Sequence, residues 1–577
     1  MKTMLHQSQL PYSYYDTALG KIILTLITPG NITAARVVYG DPFYWEKTGR
    51  KDERGNAIWE WFTEEAPMHP QYTAKAVIHW RAALTPTKAK RMKYSFLLTT
   101  HKGEEITFDE NGEGRGDALG HFFFPFVHEI DAPRAPAWAA QTCWYQIFPE
   151  RFCNGEPALS PPEIGDWLKG TPKGKNFFGG DLRGIIKQLP YLHALGVTGI
   201  YLTPIFHSPS NHKYDVQDYF AIDPHFGSTA DLKELVKKAH AKGMKIMLDA
   251  VFNHIGGAHP FWQDVLKKQE KSKYRDYFHI HSFPVRKDYP TREALNYDTF
   301  AHVANMPKWN TEHPGARKHL IDSAVYWIKE CDIDGWRLDV SDEVSFDFWR
   351  ELRAAVDAAK PDFYLVGEVW HDPSKWLNNG YFDAVMNYPL AHILRDLFFT
   401  QSISPDVFTQ KLFAKLGQLS DLHNTIRFNL MDSHDTVRAL TQADGDKTAM
   451  KNAFLFMYLM KGAPSLYYGT EVGMAGDGDP GSRAPMVWDA ARQDKSLMHF
   501  FTRLIALRKT HNALIQGADI AYTRKKGLCR WKLGKGPEAL GILYNAGEEP
   551  IRLKHKPLLA TQEDGTNRLP PKTCAVV

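Results

Sequence analysis

The feature that most constrains this chain is a texture that repeats from about residue 140 to residue 511. A short apolar run is followed by a polar break and an amphipathic helix. The segment "STADLKELVKKAHAKGMKIMLDAVFNH" shows one unit. Ser228 can cap a helix, with Asp231 three residues on completing a capping box. Leu232, Leu235, Val236 and Ala239 form one apolar stripe. Gly243 suits the position just past the helix end, and "KIMLDAV" reads as a buried strand. The texture recurs at "VTGIYLTPIF", "DGWRLDV", "FYLVGEVW", "FDAVMNY", "FNLMDSH" and "PSLYYG". With "CWYQIFPERF" at the start, eight candidate strands result. Parallel strands alternating with helices predict a central (β/α)8 TIM barrel over 131–511. An open doubly wound sheet usually carries a Gly-rich first turn, and no GxGxxG occurs here.

The flanks read differently. Residues 1–130 hold short β-like runs ("KIILTLIT", "QYTAKAVIHWRAAL", "MKYSFLLTT") between Gly, Pro, Asp and Asn turns, which predicts an N-terminal β-sandwich. "DAPRAPAW" looks like a linker. Between "DAVFNH" and "MPKWN" the segment is too long for a simple βα loop, so 255–306 is expected to be a small subdomain inserted after strand 3. Residues 512–577 return to β texture and predict a C-terminal antiparallel β domain. The whole is a multidomain chain.

Composition excludes several classes. Across 577 residues the formal net charge is only +4, which gives no reason to expect nucleic acid. No run reaches the roughly 18 apolar residues of a membrane span. The five cysteines are odd in number, scattered and without a CxxC, against a disulfide framework or zinc site. The N-terminal stretch has no apolar h-region, and a cytoplasmic setting is the expectation. The 16 Trp and 25 Tyr residues are suited to ligands with mixed polar and apolar faces, such as sugars, as well as to core packing.

In a TIM barrel the chemistry lies at the C-terminal ends of the strands. There the sequence places Asp249, Asn253 and His254 after "KIMLD", Arg337 and Asp339 in "GWRLD", Glu368 in "LVGEVWH", and His434 and Asp435 in "FNLMDSHD". Each has a bland reading as a cap, turn or surface group. Their shared position behind apolar strands favours chemistry. Paired carboxylates suit glycoside hydrolysis, one as nucleophile and one as a protonated acid. Residues i and i+2 of a strand point the same way. Arg337 should therefore lie beside Asp339 and keep it ionised, while Trp336, Leu338 and Val340 face the helices. Glu368, with no such partner, would be the protonated acid. A retaining enzyme would place it about 5 Å from Asp339.

"DAVFNH", "GWRLDV", "GEVW" and "SHD" resemble, in order, the four signature regions of the α-amylase family, glycoside hydrolase family 13. "MPKWN", "EVWHD", "FDAVMNYPL" and the N-terminal "YGDPFYW" and "MKYSFLL" are similar to its cyclomaltodextrinase, neopullulanase and maltogenic amylase subfamily. That resemblance implies a retaining glycoside hydrolase acting on α-1,4 bonds of cyclodextrins, short maltodextrins and pullulan, with transglycosylation. It implies Asp339 as nucleophile, Glu368 as acid/base and Asp435 as transition-state stabiliser. Tyr214, Asp249, Asn253, His254, Arg337, Glu343, Trp370 and His434 would contact substrate. It also implies a starch-binding-like N-terminal domain that forms a homodimer. An α-glucosidase or glucanotransferase on the same scaffold would carry the same catalytic residues. A non-catalytic carbohydrate-binding relative is disfavoured because all three carboxylates are present. The sequence departs from the subfamily at Trp309 in "MPKWN" and at "VSDE", residues 340–343, near the acceptor side. The calcium loop is degraded to "NGEPALSP". It leaves Asn154, Glu156 and Asp181 as oxygen donors, whereas calcium takes six to eight. The expectation is a weak or lost calcium site and no required cofactor.

Overall fold

The protein is described from a computed structural model covering residues 4–114, 120–286, 294–562 and 567–577. It comprises two compact units, one holding residues 135–402 and 425–512, the other 1–134, 403–424 and 513–577.

The first unit is the barrel. Its strands are β1 (Trp144–Ile147), β2 (Gly199–Leu202), β3 (Lys245–Ala250), β4 (Gly335–Leu338), β5 (Tyr364–Gly367), β6 (Ala384–Val385), β7 (Phe428–Asn429) and β8 (Ala463–Tyr467). All pairs are parallel and β8 pairs with β1. A single parallel bridge, Met386 to Phe428, joins β6 to β7 and closes the ring. All eight strands expected from the apolar runs are present. Inward-facing Trp144, Tyr201, Met247, Tyr364, Val366 and Phe428 fill the interior as one buried cluster, so the barrel is a packed core rather than a pore.

Helices α1 (Leu182–Leu195), α2 (Thr229–His240), α3 (Pro314–Cys331), α4 (Phe346–Ala359), α5 (Tyr388–Phe398), α6 (Lys447–Tyr458) and α7 (Lys495–Thr510) run between and after the strands. Their ends follow local chemistry. Ser228 and Asp231 form the expected capping box of α2, which buries Leu232, Leu235, Val236 and Ala239. Asp181 caps α1, and Gly196 ends it in the left-handed region.

Among its described residues the insertion after β3 contains one α-helix, Pro260–Lys268, with short 3-10 turns and isolated bridges. Residues 287–293 of the anticipated subdomain lie outside the described residues. Trp309, the departure in "MPKWN", is a packing residue. It is buried, stacked on Phe278 at 5.0 Å, with its indole N–H donated to Tyr219 Oη at 3.1 Å.

In the second unit the terminal β segments, which the sequence suggested as separate domains, share one nine-stranded sheet. The strand His69–Ala74 pairs in parallel with Ile520–Lys525, Tyr72 opposite Ile520. A second sheet, built on Ile32–Gly40 and Met92–Thr100, packs with it around Leu24, Val37, Trp80 and Phe96. Segment 403–424, within the span anticipated for the barrel, belongs to this β unit. There Asp421 accepts from Tyr72 at 3.2 Å and Gln71 at 2.5 Å and pairs with Arg81. Among the described residues no helix is long and apolar enough to cross a membrane.

Candidate active site

The C-terminal mouth of the barrel holds a cavity of about 510 Å³. At its base lies Arg337, fully buried on β4. Register puts it beside Asp249 of β3. Its Nη1 reaches Asp339 Oδ1 at 2.7 Å and Asp249 Oδ1 at 3.1 Å; its Nη2 reaches Glu368 Oε2 at 2.9 Å and Asp435 Oδ2 at 3.8 Å. One guanidinium is therefore shared by four carboxylates.

The expected pairing of Arg337 with Asp339 is present, but two inferences drawn from it need correction. Arg337 does not single out Asp339, because its other nitrogen holds Glu368. Nor does it lower the Asp339 carboxyl. Burial pushes that group well above the usual carboxylate range; Arg337 offsets this only in part, and Glu368 and Asp249 add to it. A third expectation also fails. Val340 does not face the helices. The strand ends at Leu338, Val340 turns into the left-handed region at φ 45°, and its side chain lines the cavity. A β-branched residue in that region is strained. The turn aims the Val340 N–H at Glu368 Oε2, 3.0 Å away.

Glu368 receives a second donor on its other oxygen: the Trp370 indole N–H lies 3.0 Å from Oε1. Trp370 stacks on Tyr388 at 3.6 Å with a 6° interplanar angle. Asp339 Oδ2 is buried and has no hydrogen-bond partner. Asp435 stands across the cavity, its Oδ1 accepting from Arg483 Nη2 at 3.3 Å.

His434 is fully buried between β1 and this cluster. Its Nδ1 is 2.7 Å from Gln146 Nε2 and its Nε2 is 2.5 Å from Tyr214 Oη. Burial, with Arg483 and Arg337 nearby, drives its ring well below the usual histidine range, so it is neutral. Tyr214 lies parallel to that ring at 5.5 Å and donates to Asp249 Oδ2 at 2.9 Å. His254 stacks on Phe300 at 4.8 Å and is pushed down to about 3 by burial, so it too is neutral.

The cavity wall thus includes Tyr214, His254, Asp339, Glu368, Trp370 and Asp435. Five other expected substrate contacts do not line it: Arg337 is fully buried at its base and His434 is fully buried beside Tyr214. Asp249 is buried behind Arg337, where Tyr201 and Tyr214 donate to it, and does not line the cavity. Asn253 and Glu343 line a neighbouring cavity of about 230 Å³, where Glu343 pairs with Lys308 at 2.7 Å. The reading of sequence alone missed His212, Asp342, Asp479 and Arg483, which complete the main cavity. Asp342 lay inside the quoted "VSDE"; the others lie in loops without periodicity.

Asn154, Glu156 and Asp181 do not make an oxygen cage. Both oxygens of Asp181 already accept backbone N–H groups, from Gly155 and Glu156 on one and Gly184 on the other. Glu156 is exposed, and only Asn154 Oδ1 is buried without a partner. This donor set does not fit calcium. Among the described residues no cluster of three His, Cys, Asp or Glu is placed to hold a metal.

Residues 146–492 match the family model described as "Alpha amylase, catalytic domain", and residues 1–128 match "Alpha amylase, N-terminal ig-like domain". The chain belongs to the α-amylase family. It is 46% identical over 523 residues to a cyclomaltodextrinase of Geobacillus thermopakistaniensis (strain MAS1), covering 90% of this chain and 86% of that one. It is 44% identical over 520 residues to neopullulanase 2 of Thermoactinomyces vulgaris, covering 90% and 86%. A solved structure titled cyclomaltodextrinase superposes with a TM-score of 0.85 at 36% identity, covering 100% of this chain and 97% of that one. The protein is thus a glycoside hydrolase of the cyclomaltodextrinase and neopullulanase type.

Proposed function

We propose that the protein hydrolyses α-1,4-glucosidic bonds of cyclodextrins, short maltodextrins and pullulan with retention of configuration, and transfers glycosyl units to sugar acceptors. The observation that carries this reading is the pair of carboxylates, Asp339 and Glu368, held on the two terminal nitrogens of Arg337. A retaining glycosidase needs such a close pair, about 5 Å apart.

In this reading Asp339 Oδ2 attacks the anomeric carbon while Glu368 gives its proton to the leaving glycosidic oxygen. Water then attacks the same carbon, its proton passes to Glu368, and the Asp339 carboxylate leaves. Asp435 stabilises the oxocarbenium-like charge that develops in the transition state of each step. Neutral His254 bonds sugar hydroxyls, His434 holds Tyr214 in place, and Tyr214 and Trp370 offer aromatic faces. Glu343 and Asn253 act next to the acceptor side, through the adjoining cavity.

The protein is further proposed to work in the cytoplasm, in keeping with its five buried cysteine thiols. A homodimer through the N-terminal domain is proposed from an exposed aromatic patch there. It comprises Phe43 (75% exposed), Tyr44, Trp45 and Trp59 around the hairpin Trp45–Lys51 and Ala57–Trp61.

The decisive experiment is a product profile on β-cyclodextrin, pullulan, maltotriose and soluble starch. Panose from pullulan and faster cleavage of cyclodextrin than starch are expected. Starch cleaved faster than cyclodextrin, with pullulan untouched, would overturn the substrate assignment.

A further inference from the structure

Glu368 has to serve twice, as an acid when the glycosidic bond breaks and as a base when water enters. In the free site its two oxygens are held differently. Oε2 accepts the backbone N–H of Val340 at 3.0 Å and is ion-paired with Arg337 Nη2 at 2.9 Å; Oε1 accepts only the Trp370 indole N–H at 3.0 Å. A carboxyl oxygen has two in-plane lone-pair directions. Both sides of Oε2 are taken, whereas one direction on Oε1 is left for a proton.

The contacts on Oε2 are fixed. Val340 N–H belongs to a turn tied to β4, and Arg337 is locked by Asp249 and Asp339. The contact on Oε1 is a side chain that is 40% exposed on the cavity wall. Its capping position is maintained by stacking on Tyr388, whose hydroxyl lies 3.3 Å from Ser433 Oγ.

We propose that Glu368 Oε1 is the oxygen that exchanges the proton, and that Trp370 is a positioning residue. Its indole N–H takes one lone pair of this oxygen and leaves the other directed at the proton that is given and received. This goes beyond a stacking role for Trp370, and it rests on the glycosidase reading above. In the second half-reaction the C–O bond from water forms and the bond from the anomeric carbon to Asp339 breaks. The water proton goes to Glu368 Oε1, and the electron pair leaves with Asp339. Trp370 aims the accepting lone pair at that water.

The test uses Trp370→Phe, which keeps a ring against Tyr388 and removes the N–H. The substrate is 4-nitrophenyl α-maltoside, whose leaving group needs no acid, so turnover reports the base-assisted step. Turnover is expected to fall about tenfold, the scale of one hydrogen bond to a charged group. kcat should fall more than kcat/KM, because the covalent intermediate accumulates. Azide, a nucleophile that needs no base, should restore most of the lost rate. An indole that only stacks on sugar would instead raise KM and give no azide rescue; that result, or an unchanged kcat, overturns the proposal. If wild-type protein failed to cleave the maltoside at all, the glycosidase reading would fall instead.

Discussion

Asp334 and Asp339 sit at opposite ends of β4, both buried, in opposite electrostatic settings. At the N-terminal end one carboxylate meets several donors. His240 Nε2 lies 2.6 Å away, Lys245 Nζ 3.0 Å, Lys360 Nζ 3.1 Å and the Ile246 N–H 3.0 Å. Burial pushes Asp334 up, but His240, the Ile246 N–H and Lys360 outweigh it, and the carboxyl is held well below its ordinary range. At the C-terminal end four carboxylates share one arginine. There burial wins, and Asp339 and Asp249 are both pushed up, Asp249 to about 6. The same strand thus ends in a fastening and in a loaded site. The cation-rich end stabilises the fold, while the carboxylate-rich end is costly to hold together unless catalysis requires it.

The sharpest way to break this contrast is to remove one carboxylate from each end. Glu368→Gln is expected to lower kcat on β-cyclodextrin about 10³-fold, the scale of lost general acid–base catalysis, with little change in melting temperature. A variant that kept its rate would refute the assignment of the acid. Asp334→Asn should do the reverse. It leaves four donors facing a neutral amide and should destabilise the fold by about 3 kcal/mol, measured by urea unfolding, with kcat per folded molecule retained. Asp249→Asn is the discriminating third case. It removes a burial cost, so its melting temperature at pH 7 should lie at or above that of the wild type. Destabilisation as large as that of Asp334→Asn would show that the two ends do not differ.

The same contrast has a pH signature of opposite sign. The folded carboxyl of Asp334 is lower than its unfolded value of 3.8. Its contribution is present above about pH 4 and is lost as pH falls below that. Asp249 is raised from 3.8 to about 6. Its cost is full above pH 6 and disappears as pH falls toward 4. The stability advantage of Asp249→Asn over wild type should therefore shrink over that window. The smallest expected effect is Lys360→Met. This partly exposed cation is one of several on Asp334, and its loss should cost under about 1 kcal/mol.

The strands and motif residues were legible because each strand is an apolar run and each chemical group follows one. The (β/α)8 order, the α2 capping box and the meeting of Arg337 with Asp339 followed from periodicity and the pleat; the hold of Arg337 on Glu368, across to the next strand, did not. What was not legible depends on where the chain departs from regular backbone. Strand alternation sends Val340 outward; the left-handed turn past Leu338 sends it into the cavity. Asp249 shares the inward face of Arg337, but its depth in the barrel, below the mouth, cannot be read from its spacing. Asp479 and Arg483 lie in a loop after β8 whose return to the site only the folded chain reveals. The union of the two terminal β regions was hidden because Tyr72 and Ile520 pair across most of the chain.

That pairing has a consequence for synthesis. The strand His69–Ala74 has one permanent neighbour early, Val77–Leu84, and receives the other only when Ile520–Lys525 has been made. At roughly 5–20 residues per second the wait is tens of seconds. Throughout it, an unpaired strand edge is presented to the surroundings, a template on which another chain could dock. The nascent protein thus carries its catalytic barrel out of the ribosome before its β sheet can be finished, and Ile520–Lys525 completes a sheet begun some hundreds of residues earlier.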